Sequence, residues 1–262
     1  MQFKNQVVVV TGAARGIGFA VASAFAREGA RVALNDLEPE AVTEAVARIQ
    51  ATGGEVMGIP GDVSDPQQVR ANVDQVLSAW DHIDVLVNNA GIMRRAPAEQ
   101  MDIQTWRRVL AINLDGAFYW SQQVASRSMI ARRKGAIVNV ASMSGVVAVP
   151  NAAPYVASKH GLIGLTKALS VDWGQYNVRV NAICPGMTVT DLSKADREKN
   201  PQMFIEREQR IPLGRAALPD DQANAVLFLA SDLASSMHGS VMTIDGGNNA
   251  LSSGHRAPRQ EA

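Results

Sequence analysis

Short apolar runs alternate with longer amphipathic segments along almost all of the chain. Several of the short runs are continuously apolar rather than alternating with polar residues, as at 7–10 and 85–87. Continuous runs of this length are typical of strands that are covered on both faces of a sheet. Seven strands are predicted, at residues 6–11, 31–35, 56–60, 84–88, 136–141, 178–183 and 241–245.

Helical spacing of apolar residues fills the intervals between these strands. Six helices are predicted, at residues 16–28, 40–52, 66–80, 103–133, 154–176 and 219–231. Gly29 stands where a left-handed C-cap is expected, and Asp65-Pro66 and Pro219-Asp220 are typical helix starts. This alternation predicts a three-layer, doubly wound α/β fold, in which helices cover both faces of a parallel sheet through right-handed connections.

No repeat, low-complexity linker or change of composition divides the 262-residue chain. One domain spanning residues 1–262 is therefore predicted. Residues 188–212 interrupt the strand–helix rhythm, because they are polar and charged and contain no strand. The tail from about residue 251 is expected to be frayed or to depend on a partner for its order.

Charge and composition exclude several classes of protein. Lys and Arg total 25, as do Asp and Glu, so the formal net charge is zero and a strongly basic nucleic-acid binder is excluded. The single cysteine, Cys184, excludes an intrachain disulfide, and the four histidines lack the spacing of metal ligands, so no metal site is predicted. No membrane span or signal peptide is recognised, so a soluble cytoplasmic protein is expected.

The first predicted strand leads directly into Thr11-Gly-Ala-Ala-Arg-Gly-Ile-Gly18. Glycines at 12, 16 and 18 allow the backbone to turn tightly and to approach a pyrophosphate, whose charge is met by the N-terminus of the following helix. The same spacing also fits a tight strand–helix turn without a ligand.

Asp36 ends the second predicted strand, about 20 residues beyond the glycines, where an acidic side chain can bind a ribose 2′-hydroxyl. A carboxylate there repels a 2′-phosphate and favours NAD over NADP. Arg15 weakly favours the opposite choice, because a basic side chain at that position can reach the phosphate. Alternatively, Asp36 is the N-cap of the helix that begins near Glu38-Pro39-Glu40.

Polar residues also follow the third and fourth predicted strands. Asp62 and Val63 follow the third strand, and Asn88-Asn-Ala-Gly91 ends the fourth. Residues at the carboxyl ends of these strands face a ligand bound at the switch point of the sheet, so Asp62 can accept a hydrogen bond from an adenine amino group. Asn88 has two equal interpretations, a cofactor contact or a buried amide that ties two strands together.

Ser142, Tyr155 and Lys159 form the strongest candidate for a catalytic group. Tyr155 and Lys159 are four residues apart, so on a helix they lie one turn apart on the same face. A neighbouring ammonium favours the phenolate and is predicted to lower the tyrosine pKa from about 10, as proton exchange near neutral pH requires. A Tyr-x-x-x-Lys pair by itself is more often an ordinary helix surface.

Taken together, these motifs resemble the short-chain dehydrogenase/reductase family. The glycine motif, Asn88-Asn-Ala-Gly91, Asn113, Tyr155-x-x-Ser-Lys159 and Pro185-Gly186 follow the order of that family over residues ~5–249. The resemblance implies a Rossmann-type fold with a seven-stranded parallel sheet, a nicotinamide cofactor, and usually a homotetramer. NAD is the expected cofactor, with NADP as the alternative.

The resemblance also implies a catalytic tetrad of Asn113, Ser142, Tyr155 and Lys159. In family terms Tyr155 is the acid/base, Ser142 orients the substrate oxygen, Lys159 lowers the tyrosine pKa and binds the nicotinamide ribose, and Asn113 holds a water in a proton relay. Without the resemblance, Asn113 is interpreted as a helix interruption within residues 111–115. The predicted cofactor-binding residues are Gly12, Arg15, Gly16, Ile17, Gly18, Asp36, Asp62, Val63, Asn89, Ala90, Gly91, Tyr155, Lys159, Pro185, Gly186, Thr188 and Thr190.

The substrate is expected to be a small polyol, sugar or sugar acid. Ile92-Met-Arg-Arg95 resembles gluconate 5-dehydrogenases, in which an arginine meets the substrate carboxylate, and residues 114–118 and 141–145 resemble sugar-alcohol dehydrogenases. A solvated arginine pair on a loop is the alternative interpretation. Residues 188–212 are expected to form a lid over the substrate. The predicted substrate-binding residues are Arg94, Ser142, Ser144, Tyr155 and Met187.

Two other functions share parts of this pattern. An NADPH-dependent reductase of 3-oxoacyl thioesters has the same tetrad, whereas a non-catalytic dinucleotide sensor keeps the glycines but needs no tetrad. The helices at 103–133 and 154–176 carry more apolar residues than one sheet face needs, which predicts self-association, consistent with a homotetramer. Neither nucleic acid nor membrane is an expected partner.

Overall fold

A computed structural model describes residues 2–190 and 198–251. Seven parallel strands form one sheet with the order β3-β2-β1-β4-β5-β6-β7. The predicted seven-stranded, doubly wound sheet is confirmed. The strands are β1 (Val7–Thr11), β2 (Arg31–Asn35), β3 (Glu55–Gly58), β4 (Val85–Asn88), β5 (Gly135–Val140), β6 (Val178–Pro185) and β7 (Val241–Ile244).

Helices connect successive strands along the chain. The predicted helix boundaries at Gly29, Asp65 and Pro219 are confirmed: Gly29 has a φ of 82°, the Asp65 carboxylate caps a helix, and Pro219 opens another. The helices are α1 (Gly16–Arg27), α2 (Pro39–Gln50), α3 (Pro66–Trp80), α4 (Ile103–Leu110), α5 (Gly116–Val124), α6 (Ile130–Arg132), α7 (Ala153–Trp173), α8 (Pro201–Glu208) and α9 (Pro219–Ala230).

The sheet is buried on both faces. Val8 and Val10 of β1 belong to one apolar cluster, whereas Val7 and Val9 belong to a second cluster on the opposite face. Because side chains alternate between faces along a strand, each face needs its own apolar set. The continuous valine run in β1 therefore follows from its central position, between β2 and β4.

The predicted helix at 103–133 is divided by two π-helical segments, Ala111–Asp115 and Ala125–Met129. The first coincides with the interruption that the sequence predicts around Asn113. A π segment widens one helical turn by a residue and is frequent at functional sites. In the first segment, Ala111–Asp115, the widened turn contains Asn113, whose side chain is buried.

The segment 188–212 and the tail are only partly described. Residues 191–197 of the predicted lid and residues 252–262 of the predicted tail lie outside the described residues. The remainder of the lid contains α8, for which the sequence predicts no helix, and Phe204 of α8 is buried.

Within the described part of the chain, no helix combines the length and the hydropathy that crossing a membrane requires. The same residues contain no group of three His, Cys, Asp or Glu side chains close enough to hold a metal ion.

Candidate active site

A cavity of about 360 Å³ opens at the carboxyl ends of β1 to β4, where the chain reverses its direction across the sheet. Open α/β sheets bind ligands at this switch point. Residues from the glycine turn, from the ends of β2, β3 and β4, and from α4 line the cavity. The predicted cofactor residues among them are Gly12, Arg15, Ile17, Asp36, Asp62, Val63, Asn89, Ala90, Gly91 and Thr190.

The glycine turn is tightly packed. Gly12 and Gly16 have φ angles of 62° and 59°, a left-handed conformation that favours glycine. A Cβ atom on Gly18 would lie 2.0 Å from the Gly12 carbonyl oxygen, so only glycine fits at position 18. The Thr11 hydroxyl accepts the backbone N–H groups of Asn89 and Ala90 and so joins this turn to β4.

Asp36 lies at the carboxyl end of β2 and contacts the glycine turn. Its carboxylate accepts the backbone N–H of Ala14 at 3.0 Å and of Leu37 at 2.8 Å. The N-cap position of α2 is Glu38, so the alternative role of Asp36 as a helix cap is wrong. Glu38 also lines the cavity, so two carboxylates and Arg15 lie at this end of it.

Asp62 forms a compact ring with Ser64 and Arg108. Ser64 donates its N–H and its hydroxyl to Asp62 Oδ1, at 2.9 and 2.7 Å, and Arg108 donates Nη2–H to Asp62 Oδ2 at 2.8 Å. Burial by itself would raise the pKa of Asp62, but these hydrogen bonds and the guanidinium charge hold its pKa below the usual range. Arg108 also lines the cavity and is missed by the sequence analysis, because it lies 46 residues from Asp62.

Asn88 has a structural role. Its buried Nδ2 donates to Ser121 Oγ at 3.0 Å and to Asn139 Oδ1 at 2.8 Å. These bonds join β4 to α5 and to β5. Of the two interpretations that the sequence leaves equal, the amide that ties strands together is correct.

Asn113 bridges α7 and the loop after β4. Its Nδ2 donates to Ser158 Oγ at 3.0 Å and to the Ile92 carbonyl, and its Oδ1 accepts the Ile92 N–H at 2.8 Å. The Ser158 hydroxyl donates in turn to the Tyr155 carbonyl at 2.8 Å. The side chain predicted for the proton relay is thereby linked through Ser158 to the turn of α7 that carries Tyr155.

Tyr155 and Lys159 lie on one face of α7, beside the end of β5. The Tyr155 side chain is hydrogen-bonded to Ser142. Lys159 Nζ lies 5.8 Å from the centre of the Tyr155 ring and donates to the Val140 carbonyl at 2.7 Å. The geometry brings Ser142, Tyr155 and Lys159 together, as the sequence predicts.

The predicted lowering of the tyrosine pKa is wrong for this structure. Burial raises the pKa of Tyr155 above its ordinary value of 10.0, and the hydrogen bond with Ser142 and the charge of Arg95 oppose the rise only in part. Lys159 is fully buried, and burial lowers its pKa to about 8. The Lys159 ammonium donates to the Val140 carbonyl. The four-residue spacing of Tyr155 and Lys159 on α7 therefore does not by itself stabilise a phenolate.

The segment after β6 is held against β7 and α9. Gly186 donates its N–H to the Ile244 carbonyl at 2.9 Å, and a Cβ atom on Gly186 would lie 2.5 Å from the Asp245 Cβ. The Met187 carbonyl accepts the Ala217 N–H at 2.9 Å, and the Thr188 hydroxyl accepts from Gln222 at 3.2 Å. Pro185, the last residue of β6, is buried. These residues, predicted to flank the nicotinamide, are therefore positioned by the edge of the sheet.

The arginine pair after β4 has two different environments. Arg94 donates to the carbonyl of its neighbour Met93 at 3.0 Å, whereas Arg95 donates to the Pro150 carbonyl at 3.1 Å. The charge of Arg95 reaches the Tyr155 hydroxyl and lowers its pKa, although burial outweighs this effect. Arg95 is the arginine of the pair that acts on Tyr155.

Comparison with known proteins identifies the family of this chain. The family described as enoyl-(acyl carrier protein) reductase matches residues 12–249. This range contains the glycine turn, the tetrad residues and the segment after β6. The chain belongs to the short-chain dehydrogenase/reductase family. Enzymes of this family are NAD(P)-dependent oxidoreductases that act on alcohols and ketones.

Relatives within this short-chain dehydrogenase/reductase family differ in their substrates. D-threitol dehydrogenase from Mycolicibacterium smegmatis is 43% identical over 245 residues, which cover 93% of this chain and 92% of that protein. The 3-oxoacyl-[acyl-carrier-protein] reductase FabG of Chlamydia trachomatis is 41% identical over 244 residues, 93% of this chain and 97% of that protein. A candidate NAD(P)-dependent gluconate 5-dehydrogenase from Beutenbergia cavernae, solved with NADP at low occupancy, is 41% identical with a TM-score of 0.89, covering 95% and 98% of the two chains.

The cavity of this family member suits a dinucleotide. A Cβ atom on Gly91 would lie 3.4 Å from Asn113 Oδ1 and 3.5 Å from Lys159 Nζ, so the cavity wall at Gly91 lies directly against two of the tetrad residues. Gly12 and Gly16 leave the backbone free to approach a pyrophosphate at the N-terminus of α1. When bound, the nicotinamide supplies or accepts the hydride.

Proposed function

We propose that this enzyme transfers a hydride between NAD(H) and a secondary alcohol or ketone of a small polyol, sugar or sugar acid, with Tyr155 as the acid/base. The observation that carries the proposal is the hydroxyl of the half-buried Tyr155, which is hydrogen-bonded to Ser142 beside the fully buried Lys159. A phenol held in this way can pass a proton to or from a substrate oxygen that Ser142 orients.

The raised pKa of Tyr155 keeps the phenol protonated near neutral pH. In ketone reduction the protonated phenol donates its proton to the substrate oxygen. Alcohol oxidation needs the phenolate, so its rate is expected to rise with pH above neutrality. The hydrogen bonds of Asn113 and Ser158 hold the turn of α7 that carries Tyr155 in place.

Tyr155→Phe tests the assignment of the acid/base. The substitution removes the transferable proton, so kcat should fall by roughly 10²-fold or more. The Kd for NADH should stay within about threefold of wild type, measured by fluorescence titration, because the ring and its packing are retained. Retention of more than about a tenth of the wild-type kcat would contradict the assignment.

The preference for NAD rests on the acidic end of the cavity. Asp36 and Glu38 line this end of the cavity, where both carboxylates would repel a 2′-phosphate, whereas Arg15, which lines the cavity as well, would attract it. Asp36→Ala should shift the ratio of kcat/KM for NAD and NADP toward NADP by about tenfold, since like-charge repulsion is removed. Glu40→Ala makes the same charge change outside the cavity and should leave the ratio unchanged. A wild-type preference for NADP would refute the proposal.

The position of Arg95 favours a sugar acid over a neutral polyol as the substrate. It lies near Tyr155 at the surface of the site, so it is placed to pair with a substrate carboxylate. Arg95→Met should lower kcat/KM for aldonic acids by about tenfold more than for neutral polyols. Arg94, the arginine that the sequence predicts for this contact, donates to the carbonyl of its neighbour Met93. Arg94→Met therefore decides between the two arginines, and on the present proposal it should affect both classes equally. Equal losses for both classes with Arg95→Met would contradict a carboxylate contact.

Reduction of 3-oxoacyl thioesters is the second candidate function. The observation in its favour is the 41% identity to the FabG reductase of Chlamydia trachomatis, close to the 43% identity to D-threitol dehydrogenase. The two functions separate in one assay panel that compares polyol and aldonate oxidation by NAD with acetoacetyl-thioester reduction by NADPH. A higher kcat/KM for the thioester would establish the second function.

The proposed lid is the segment 188–212, closing over the substrate. The described part of α8 is mostly exposed apart from Phe204, and a bridge between Thr188 and Ala217 anchors the segment near its base. Hydrogen exchange should show weak protection of the segment that rises with cofactor and substrate. Protection equal to that of β1 without ligand would contradict this role.

Self-association is proposed through α5 and α7. Phe118 of α5 and Val171 of α7 are exposed to 37% and 82%, although they lie on helices that already cover the sheet. Burying such side chains against a second copy removes apolar area from water. The family resemblance implies a second two-fold contact near β7, so light scattering at micromolar concentration should give about four chains per particle, and a monomer with full activity would refute the assembly.

A further inference from the structure

Arg108 occupies an unusual position between α4 and the loop after β3. Its Nη1–H donates to Ser64 Oγ at 2.6 Å and its Nη2–H donates to Asp62 Oδ2 at 2.8 Å. The Ser64 hydroxyl donates a hydrogen bond to Asp62 Oδ1 at 2.7 Å. The three side chains thus close a ring at the wall of the cofactor cavity, which both Asp62 and Arg108 line.

The ring leaves few acceptor positions on Asp62. An ionised carboxylate offers about four lone-pair sites. The N–H and hydroxyl of Ser64 take two of them on Oδ1, and Arg108 takes one on Oδ2. One acceptor position remains, on the oxygen that Arg108 holds in place. The Asp62 side chain is 21% exposed and lines the cavity, so a ligand bound in the cavity can meet the carboxylate.

We propose that Arg108 is a positioning residue for the purine of the cofactor, which fixes Asp62 so that its one remaining acceptor position selects a 6-amino group. The guanidinium also balances the Asp62 charge, so the purine meets an oriented neutral pair instead of a mobile carboxylate. The inference depends on the NAD(P) dependence of the family and is independent of the substrate proposed above.

Direct binding separates this role from a merely structural one. The full-length enzyme is titrated by calorimetry with NADH and with the reduced hypoxanthine analogue, whose purine carries a carbonyl in place of the amino group. Wild type should bind NADH about tenfold more tightly than the analogue, the effect of one charge-assisted hydrogen bond. Arg108→Met should weaken NADH binding by about tenfold and the analogue by less than about threefold, so that discrimination is lost.

Two further variants serve as controls. Arg107→Met makes the same change on the neighbouring exposed residue of α4 and should retain discrimination. Arg108→Lys keeps the charge but lacks the fork that reaches both Asp62 and Ser64, so it should restore discrimination in part. Thermal unfolding of each variant identifies any loss of folding.

Several outcomes would overturn the proposal. These are equal weakening of both dinucleotides by Arg108→Met, unchanged binding of both, or a wild type that does not discriminate between them. If NADPH proves to be the tighter cofactor, the comparison is made with NADPH and its hypoxanthine analogue. Failure of the NAD preference or of the substrate assignment therefore leaves this test intact.

Discussion

Lys159→Met is expected to stabilise the fold while abolishing activity. The Lys159 ammonium is fully buried, and burial lowers its pKa to about 8 from the ordinary value of 10.5. Below pH 8 the folded enzyme holds this charge out of water, which costs free energy of folding. Methionine has a similar length, carries no charge and removes that cost. Functional residues commonly reduce stability in this way.

The magnitude follows from proton linkage. Between pH 8 and 10.5 the unfolded chain binds a proton at Lys159 that the folded chain does not, so wild-type stability rises with pH in this window. The cost of Lys159 to folding is about 3 kcal/mol near pH 7 and falls to about 1 kcal/mol near pH 10. Loss of the bond to the Val140 carbonyl offsets the gain by about 1 kcal/mol at either pH.

The assay is urea unfolding of both proteins near pH 7 and near pH 10, at one protein concentration because association contributes to stability. The Lys159→Met variant should be more stable than wild type by about 2 kcal/mol at the lower pH and about equal at the higher pH. Lys167→Met changes an exposed lysine on the same helix and should show no such pH dependence. A stability difference that is the same at both pH values would refute the reasoning.

Three further outcomes are expected. Arg179 donates to four main-chain carbonyls at and just after the C-terminal end of α9, so Arg179→Met should lower the free energy of unfolding by about 2–4 kcal/mol in urea. Gly18→Ala should weaken NADH binding by more than about tenfold in calorimetry because its Cβ overlaps the turn, whereas Gly164→Ala, with open space, should not. Burial by itself would raise the pKa of Asp84, but the hydrogen bonds from Arg132 and Val7 hold that pKa below its ordinary value of 3.8. In acid unfolding, wild type should therefore keep its full stability advantage over Asp84→Asn above pH 3.8 and lose it progressively below that pH.

The sequence by itself was enough to predict the sheet and to place the glycine turn and Asp36 at its switch point. Strands that are buried on both faces have near-continuous apolar runs, so the runs at 7–10 in β1 and at 85–87 in β4 indicate a central place in the sheet. The glycine turn follows from a local backbone requirement that few other residues meet, and Asp36 from its place at the end of β2. Tyr155 and Lys159 share a face because four residues span about one helical turn. Each of these is a property of neighbours along the chain.

Only the tertiary structure decided how the polar residues act. Asn88 is a structural amide because β5 and α5 bring acceptors to it, and Arg108 meets Asp62 because α4 packs against the loop after β3. The pKa of Tyr155 is raised because burial outweighs the hydrogen bond with Ser142 and the charge of Arg95, neither of which follows from the spacing of Tyr155 and Lys159. Burial and long-range partners depend on the packing of distant segments, so no local pattern contains them.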